Sequence, residues 1–290
     1  MNKTLLLLAA ILCLCCSSCK KEKVAIAGSG WQEIAIIEKK YGKIEWRHEL
    51  EKDFECNDIE ITPDGNILFA YSKGARLINR NHEIIWDYKA EENEEIHSAT
   101  RMSNGGYMIG VCGDPARIVE LDNNGTVTKE IPFITLIFNS HRQFRQVAKT
   151  GDGNYLVPLI EKRKLLLLSP EGNLIRNFNI GMNLFSVKEL KNNNFLVSCG
   201  NNGSFVEIDP KIEGDNNMVI TNQSKIGVLL FVAEIFPYKN GNKLIANSNI
   251  FSDNKSNPLL IEINKKNEVV WSLPFNKEIK NITAIHSFFE

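Results

Sequence analysis

A short hairpin that recurs along the whole chain constrains the fold more than any other feature of this sequence. Each copy joins two apolar segments through a polar turn, and the residue at its pivot is Gly, Asn or His. The six pivots are Gly42, His82, Gly125, Gly172, Asn217 and Asn267. These residue types tolerate the positive φ that a tight hairpin turn requires. The chain therefore repeats one β-hairpin unit six times.

A second turn precedes five of these hairpins and leads each time into an apolar segment. Its five copies are centred on Gly65, Gly105, Gly153, Asn193 and Gly241. Successive copies are 40 to 48 residues apart, and four strands in a repeat of this length are typical of a β-propeller. The sequence therefore predicts an all-β, six-bladed propeller with four antiparallel strands in each blade.

The two ends of the chain are predicted to share one blade. The first unit lacks the second turn and opens directly with an apolar strand at residues 24–27, whereas an unpaired strand remains at residues 282–288. Pairing of this C-terminal strand with the N-terminal three closes the ring and removes the open sheet edge. Residues 24–290 then form a single domain, for which 43% hydrophobic residues provide an adequate core.

Three of the hairpins carry a tryptophan four residues after the pivot, namely Trp46, Trp86 and Trp271. A large aromatic ring at one repeated position is expected to dock against the neighbouring blade. The Asp-x-x-Gly-x-(Val/Ile)-x-Trp pattern resembles the quinoprotein-type (PQQ-like) propeller repeat. The enzymes of that superfamily have eight blades, a disulfide between adjacent cysteines and a calcium site. The resemblance therefore implies the scaffold here, and no cofactor or metal is expected.

The N-terminus has the features of a processing signal. An apolar run from Leu5 to Leu14 follows Lys3, and it ends in Cys16-Ser17-Ser18-Cys19. This end resembles a bacterial lipobox, which implies a signal peptide over residues 1–18, acylation of Cys19 and a tether over residues 19–23. The expected location is the bacterial cell envelope, anchored by lipid at the outer membrane and facing the periplasm or the surface. An ordinary secretory signal is the alternative.

Four of the seven cysteines lie in this signal, which leaves Cys56, Cys112 and Cys199. Their wide spacing matches no zinc or redox motif, so they are predicted to be buried free thiols.

A second resemblance begins at His97. Residues 97–106, read His-Ser-Ala-Thr-Arg-Met-Ser-Asn-Gly-Gly, are similar to an element of bacterial arylsulfotransferases, which are six-bladed. In that family a histidine at the central channel carries the sulfate, with help from other His and Arg residues. The resemblance implies a role for His97 and for His141-Arg142, which lie at a comparable place before the fourth blade. Together with Arg145, which the irregular rim also offers, His97 and His141 are the candidate catalytic residues. The competing interpretation is that each histidine makes a hydrogen bond between blades.

Both sets of turns are expected on one rim of the ring, here called the tight-turn rim, and their regularity suggests a structural role. The opposite rim, here called the loop rim, carries irregular loops, where binding is more common. The candidate binding residues are Asp114, Arg117, Arg142 and His286, with Asp114 and Arg117 expected to pair with each other. A run of glutamates from Glu91 to Glu95 is expected to be a solvated loop rather than a cation site.

One register of the innermost strands is predicted to line a water-filled channel. Its members are Ile59, Thr100, Arg145, Lys188, Glu234 and His286.

The charge and the motifs limit the functions that remain. A net charge of −1 without a basic stripe argues against nucleic-acid binding. No glycine-rich phosphate loop, nucleophile elbow or zinc-protease motif is present in the sequence. We therefore favour a non-enzymatic, membrane-anchored module that binds a small molecule, a glycan or an envelope protein. The alternative is an arylsulfotransferase-like or hydrolytic enzyme that uses a channel histidine.

Overall fold

The computed structural model describes residues 20–214, 218–250 and 256–290 and contains six antiparallel sheets of four strands each. Blade 1 contains β1 (Glu22–Ala27), β2 (Glu33–Glu38) and β3 (Lys43–Glu49). Blade 2 contains β4 (Cys56–Ile61), β5 (Ile67–Tyr71), β6 (Gly74–Ile78) and β7 (Ile84–Lys89). Blade 3 contains β8 (Glu95–Arg101), β9 (Tyr107–Cys112), β10 (Ala116–Leu121) and β11 (Val127–Phe133).

A 3₁₀ helix (Ser140–Arg142) leads into the second half of the ring. Blade 4 contains β12 (Ala148–Lys149), β13 (Tyr155–Leu159), β14 (Lys164–Leu168) and β15 (Leu174–Asn179). Blade 5 contains β16 (Val187–Glu189), β17 (Phe195–Ser198), β18 (Ser204–Ile208) and β19 (Met218–Asn222), followed by the short helix α1 (Gln223–Ile226). Blade 6 contains β20 (Val232–Pro237), β21 (Lys243–Asn247), β22 (Leu260–Ile263) and β23 (Val269–Leu273), and the chain ends with β24 (Ala284–Phe289).

The predicted closure of the ring is confirmed. β24 pairs with β1 along its whole length, from Ala284 opposite Ala27 to Phe289 opposite Glu22. The Lys21 amide then donates to the Glu290 carbonyl oxygen at 2.6 Å. Blade 1 is thus the sheet β24-β1-β2-β3, in which the two ends of the chain hold each other. The first strands contact one another at four of the blade boundaries, namely β24 with β4, β4 with β8, β12 with β16, and β20 with β24, and they line the central channel.

The turns adopt the backbone conformation that their residues predict. Of the six pivots, Gly42, His82, Gly125, Gly172 and Asn267 have φ between 63° and 85°. Asn217 lies outside the described residues. Because left-handed φ is accessible to Gly, Asn and His, the choice of residue at each pivot sets the hairpin locally.

The three tryptophans dock between blades as expected. The Trp46 Nε1 donates to the Arg80 carbonyl oxygen of blade 2 at 3.0 Å. The Trp86 ring packs against Tyr107 of blade 3, with 4.9 Å between ring centroids. The Lys39 ammonium of blade 1 lies 5.4 Å from the Trp271 ring of blade 6. Each ring therefore covers the boundary between two adjacent sheets.

The hydrophobic core is divided among the spaces between neighbouring blades. Cys56, Cys112 and Cys199 are buried there as free thiols, as predicted. Burial raises the pKa of both the Cys112 and the Cys199 thiol to about 12. These thiols are therefore protonated and unreactive at neutral pH.

No helix among the described residues is long and apolar enough to cross a membrane. The predicted signal peptide and the acylated Cys19 lie outside the described residues.

Candidate functional site

Six side chains occupy equivalent positions around the central channel. In blades 2 to 6 the channel residue lies on the innermost strand and pairs with the second residue of the neighbouring strand; in blade 2, for example, Glu60 pairs with Leu68. In blade 1 it lies opposite Ala25 of β1. The six residues are Glu60, Thr100, Ala148, Lys188, Phe236 and His286.

The predicted channel register is confirmed at Thr100, Lys188 and His286 but is wrong in the other three blades. In blade 2 the channel residue is Glu60 rather than Ile59, whose side chain is 2% exposed in the core between blades. A shift of one residue turns a side chain to the other face of a strand, which accounts for this error. In blades 4 and 6 the prediction named Arg145 and Glu234, which lie three and two residues before Ala148 and Phe236. Residues two apart on a strand share a face, so Glu234 still faces the channel, one layer deeper than Phe236.

The channel opens into a funnel on the tight-turn rim. The funnel has a volume of about 690 Å³, and Arg101 and Lys149 lie on its wall beside Glu60, Lys188 and His286. Two further cavities, of about 600 and 290 Å³, open near the turns of blades 5, 6 and 1. The tight-turn rim, which was expected to be structural, therefore also carries cavities.

A buried layer of charged and polar groups forms the floor of the funnel. The Lys188 ammonium lies 2.9 Å from one Glu234 carboxylate oxygen, and a third of the Lys188 side chain is exposed. The other Glu234 oxygen accepts hydrogen bonds from the Gln146 side chain and the Ile285 amide, both at 2.8 Å. Asp58 accepts from the Ala99 amide at 3.0 Å. Hydrogen bonds therefore compensate for the removal of these carboxyl groups from water.

The protonation states in this layer follow from burial and from neighbouring charges. Burial raises the pKa of the Asp58 carboxyl to about 8, with Lys188 opposing the shift and Glu234 adding to it. Burial lowers the pKa of His286 to about 4, and the Lys188 ammonium contributes to this. Burial alone would lower the pKa of Lys188, but Glu234 and Asp58 outweigh it and raise that pKa. At neutral pH the floor therefore presents a charged lysine and a neutral histidine.

A second cluster lies at the loop-rim end of β8. One Glu95 carboxylate oxygen contacts His97 Nε2 at 2.7 Å and His141 Nδ1 at 2.8 Å. The side-chain amide nitrogen of Asn57 lies 3.1 Å from His97 Nδ1, and a guanidinium nitrogen of Arg145 lies 3.1 Å from His141 Nε2. Amide and guanidinium nitrogens are donors. Both histidines are therefore assigned the neutral tautomer that donates to Glu95.

Electrostatics keep this histidine cluster in that state. Burial lowers the pKa of His97 to about 4, and the Arg145 guanidinium adds to the effect. Burial opposes ionisation of Glu95, but hydrogen bonds from His141 and His97 outweigh it and hold the pKa of that carboxyl well below its usual range. The His97 side chain is fully buried, whereas 48% of the His141 side chain is exposed. His141 is therefore the member that a solute can reach.

The same cluster offers three possible metal ligands. The ligand atoms of Glu95, His97 and His141 lie within 4.8 Å of one another, and two histidines with one carboxylate suit a divalent transition metal. A metal would have to replace the protons that face Glu95, and each histidine would have to protonate its other ring nitrogen. For His141 that nitrogen faces the Arg145 guanidinium, which cannot accept a hydrogen bond. The arrangement therefore fits a hydrogen-bonded acid–base network better than a metal site.

The structure brings together the three predicted catalytic residues but separates the predicted binding residues. Of the latter, only His286 lies in the channel. Asp114 is exposed on the loop rim, and Arg142 is exposed with its Nε 3.4 Å from Glu161. Arg117 pairs with Glu94 and, through its Nε at 3.2 Å, with Glu130. The predicted pairing with Asp114 is therefore wrong, because these acidic groups from flanking segments lie closer.

The glutamate run is only partly solvated. Glu91 and Glu92 are exposed as expected. Glu94 is buried against Arg117, and Glu95 joins the histidine cluster, so the expectation is wrong for both.

Sequence reasoning overlooked several channel residues. Asp58 and Glu60 alternate with apolar residues in β4, which was the available signal for a polar channel wall. No sequence pattern indicated that Arg101 lies on the funnel wall, because residues of other blades form the rest of that wall.

A family model described as Mal s 1 allergenic protein-like matches residues 29–268. The chain belongs to this family. A protein of unknown function from Bacteroides caccae, whose crystal structure is known, is 35% identical to it, with a TM-score of 0.88 over 92% of this chain and 99% of the other. A search of curated proteins finds no match.

More distant solved structures share the fold. A catalytically inactive histidine-to-alanine variant of virginiamycin B lyase from Staphylococcus aureus, solved with quinupristin, is 13% identical, with a TM-score of 0.63 over 93% of this chain and 92% of the other. A streptogramin B lyase is 10% identical, with a TM-score of 0.61 over 89% of this chain and 87% of the other. At these identities the lyases show the propeller fold alone. The quinoprotein-type resemblance of the repeat stays a prediction.

Proposed function

We propose that this protein is a lipid-anchored component of the bacterial cell envelope whose propeller binds a small polar ligand in the funnel. The observation that carries the proposal is the funnel of about 690 Å³ with the Lys188 side chain, a third of which is exposed, at its floor. Its volume lies in the range of sites that enclose small ligands. The lipobox-like end of residues 16–19 supports the anchor.

The lining of the funnel indicates the chemistry of the ligand. Lys188 offers a cation at the floor, and the Nε of Arg101 on the wall has no hydrogen-bond partner within the described residues. Glu60 and Thr100, which are hydrogen-bonded to each other, add a carboxylate and a hydroxyl that can bond to the hydroxyl groups of a ligand. The Phe236 ring packs against His286, with 5.3 Å between the ring centroids. Two cationic donors beside an acceptor and an aromatic face suit a hydroxylated molecule that carries one anionic group. The proposed ligand class is therefore an acidic sugar or a sugar phosphate.

A binding assay on matched sugars tests this proposal. Isothermal titration calorimetry would compare glucuronate, glucose 6-phosphate and glucose on wild type, Arg101→Gln and Lys162→Gln. We expect the two anionic sugars to bind and glucose to bind more weakly. Loss of a charged hydrogen bond costs about 1.5–3 kcal/mol, so Arg101→Gln should weaken anionic-sugar binding roughly 10- to 100-fold. Lys162→Gln, on the loop rim, should not. Equal affinity for all three sugars, or no binding, would contradict the proposal.

The anchor has a separate test. When the full-length chain is expressed in a bacterial host with radioactive palmitate, the wild type should incorporate the label and Cys19→Ser should not. Equal labelling of both proteins would show that Cys19 is not the acceptor.

A second candidate function is acid–base catalysis at the histidine cluster, in an arylsulfotransferase-like or hydrolytic reaction. The observation that favours it is the convergence of His97 and His141 on Glu95, with the Arg145 guanidinium held against His141. Because His97 is fully buried and both its ring nitrogens are engaged, its role here would be to position Glu95. The exposed His141 would transfer the proton.

This candidate is tested with a sulfate-donor transfer assay and a panel of ester substrates. Turnover by wild type that falls at least about 100-fold in His141→Asn would support general acid–base catalysis. His97→Ala should lower turnover too, and the pH profile should shift because Glu95 loses one donor. The absence of turnover in the wild type would dismiss the candidate.

A further inference from the structure

The tight-turn rim of blades 6 and 1 carries a group of lysines that the amino-acid sequence scatters over its two ends. They are fully on the surface, and none forms a salt bridge with a described residue. We call this group the basic arc; it consists of Lys20, Lys40, Lys43, Lys239, Lys265 and Lys266. Unpaired lysines gathered on one face give that face a positive potential.

Contacts between the two blades hold the basic arc together. The outer turn of blade 1 approaches blade 6 so closely that a Cβ at Gly42 would collide with the Leu273 side chain. Lys265 lies over the inner turn of its own blade beside Gly241. The cavity of about 290 Å³ is lined by Lys40 from blade 1 and Trp271 from blade 6. The arc therefore spans the boundary at which the ring closes.

The turns of blades 2, 3 and 4 differ from those of the arc. They contain no lysine and carry Asp64, Asp122, Asp152 and Glu171, while Arg80 in the outer turn of blade 2 is paired with Glu290 at 2.7 Å. The turns of blade 5, beside blade 6, carry the exposed Lys191 and Lys211. The rim is thus basic on one side and acidic on the other, although the net charge of the whole chain is −1. A polarised rim presents only its basic side to an anionic surface.

The N-terminal segment leaves the propeller within the basic arc. β1 begins at Glu22, so only Lys20 and Lys21 lie between its start and Cys19, which is a distance of three residue steps. Three extended residues reach at most about 10 Å. This step rests on the proposed lipid anchor: acyl chains on Cys19 would hold the tight-turn rim against the bilayer. The lysines would then lie within about one Debye length of the lipid headgroups.

We propose that the basic arc rests on an anionic bilayer surface, so that the funnel opens toward the membrane and the histidine cluster faces away from it. Tyr41, whose side chain is 69% exposed between Lys40 and Lys43, supplies an aromatic residue of the kind enriched at bilayer interfaces. Each lysine near an anionic surface strengthens binding roughly fivefold. The membrane is favoured over nucleic acid because the tether emerges inside the arc.

Vesicle binding of the unacylated chain from residue 20 onward tests the rim independently of the anchor. This chain contains every described strand. Co-sedimentation would use phosphatidylcholine vesicles with and without phosphatidylglycerol. The arc variant carries Lys40→Gln, Lys239→Gln, Lys265→Gln and Lys266→Gln. The matched control removes the same charge from the loop rim through Lys52→Gln, Lys73→Gln, Lys89→Gln and Lys162→Gln.

The proposal predicts binding only to vesicles that contain phosphatidylglycerol, with weakening as salt is added. The arc variant should bind roughly 10²- to 10³-fold more weakly, and the control variant should bind within about twofold of wild type. Circular dichroism would verify that both variants are folded. No binding by the wild type, equal losses in the two variants, or tighter binding to double-stranded DNA than to these vesicles would each overturn the proposal. These outcomes do not affect the calorimetry with sugars. If the vesicle experiment contradicts the membrane contact, ligand binding in the funnel can still be tested separately.

Discussion

The buried Asp58 carboxyl predicts that this protein loses stability as the pH rises through neutrality. Burial raises its pKa to about 8 in the folded protein, whereas an aspartate in an unfolded chain titrates at about 3.9. Between these values the folded state keeps a proton that the unfolded state has released. The folded state then binds more protons, so the free energy of unfolding falls as the pH rises.

The size of this effect follows from the number of protons involved. One proton changes the free energy of unfolding by about 1.4 kcal/mol per pH unit. Between pH 6.5 and pH 8, Asp58 should therefore cost up to about 2 kcal/mol. His97 and His286, whose pKa values burial lowers to about 4, act in the opposite direction. An unfolded histidine is half protonated at pH 6.5, so between pH 6.5 and pH 8 each of the two offsets the loss by about 0.4 kcal/mol, and most of their effect lies at lower pH.

Urea titrations at pH 6.5 and pH 8 measure the effect, with Asp58→Asn and Asp152→Asn as the two variants. Wild type and Asp152→Asn, whose carboxyl is exposed on the tight-turn rim, should lose the Asp58 cost less the two histidine offsets over this interval, which is about 1 kcal/mol. Asp58→Asn has no carboxyl at this position and should lose much less. Parallel losses in wild type and Asp58→Asn would refute the reasoning.

Three further predictions concern the construction of the ring. Trp46→Phe removes an interblade hydrogen bond at 3.0 Å and should lower the free energy of unfolding by about 1 kcal/mol in urea titrations. Trp86→Phe should cost less, because the Trp86 Nε1 has no hydrogen-bond partner within the described residues. Gly42→Ala, at φ of 66° against a neighbouring side chain, should destabilise the protein by more than about 1 kcal/mol. Gly30→Ala, at φ of 72° with open space around it, should cost only the backbone strain. Deletion of residues 284–290 removes the strand that closes blade 1 and should give an aggregating protein in size-exclusion chromatography.

Each of these comparisons has an outcome that would contradict it. Equal costs for the two tryptophan variants would mean that the indole hydrogen bond adds nothing measurable. Equal losses in the free energy of unfolding for Gly42→Ala and Gly30→Ala would show that the contact between blades 1 and 6 does not limit the side chain at residue 42. A monodisperse, fully folded protein without residues 284–290 would show that the ring does not need its closing strand.

The fold was predictable because its determinants are local. A residue that tolerates positive φ at each pivot sets a hairpin whatever surrounds it, and the count of turns then set the number of blades and the closing strand. The tryptophan positions followed from the same repeat. Register within the innermost strands was harder, since a bulge between Val232 and Glu234 and the two-residue strand β12 moved the channel positions away from a uniform alignment.

The candidate site was only partly predictable. His97, His141 and Arg145 were recognised by residue type and by their place before innermost strands. Glu95, the shared partner of the two histidines, was expected to be part of a solvated acidic run. The true partners of Arg117 were also missed, because salt bridges between segments depend on how loops pack and not on spacing along the chain.

The repeat, and with it the propeller and its closure, could be read directly from the order of residues, because turn conformation depends on a few neighbouring residues. The distribution of charge could not. Lys20, Lys40 and Lys43 lie near one end of the chain and Lys239, Lys265 and Lys266 near the other, so they look dispersed in a chain with a net charge of −1. Closure of the ring places blade 1 beside blade 6 and collects these lysines on one side of one rim. Only the tertiary structure brings them together, because long-range contacts decide which charges become neighbours.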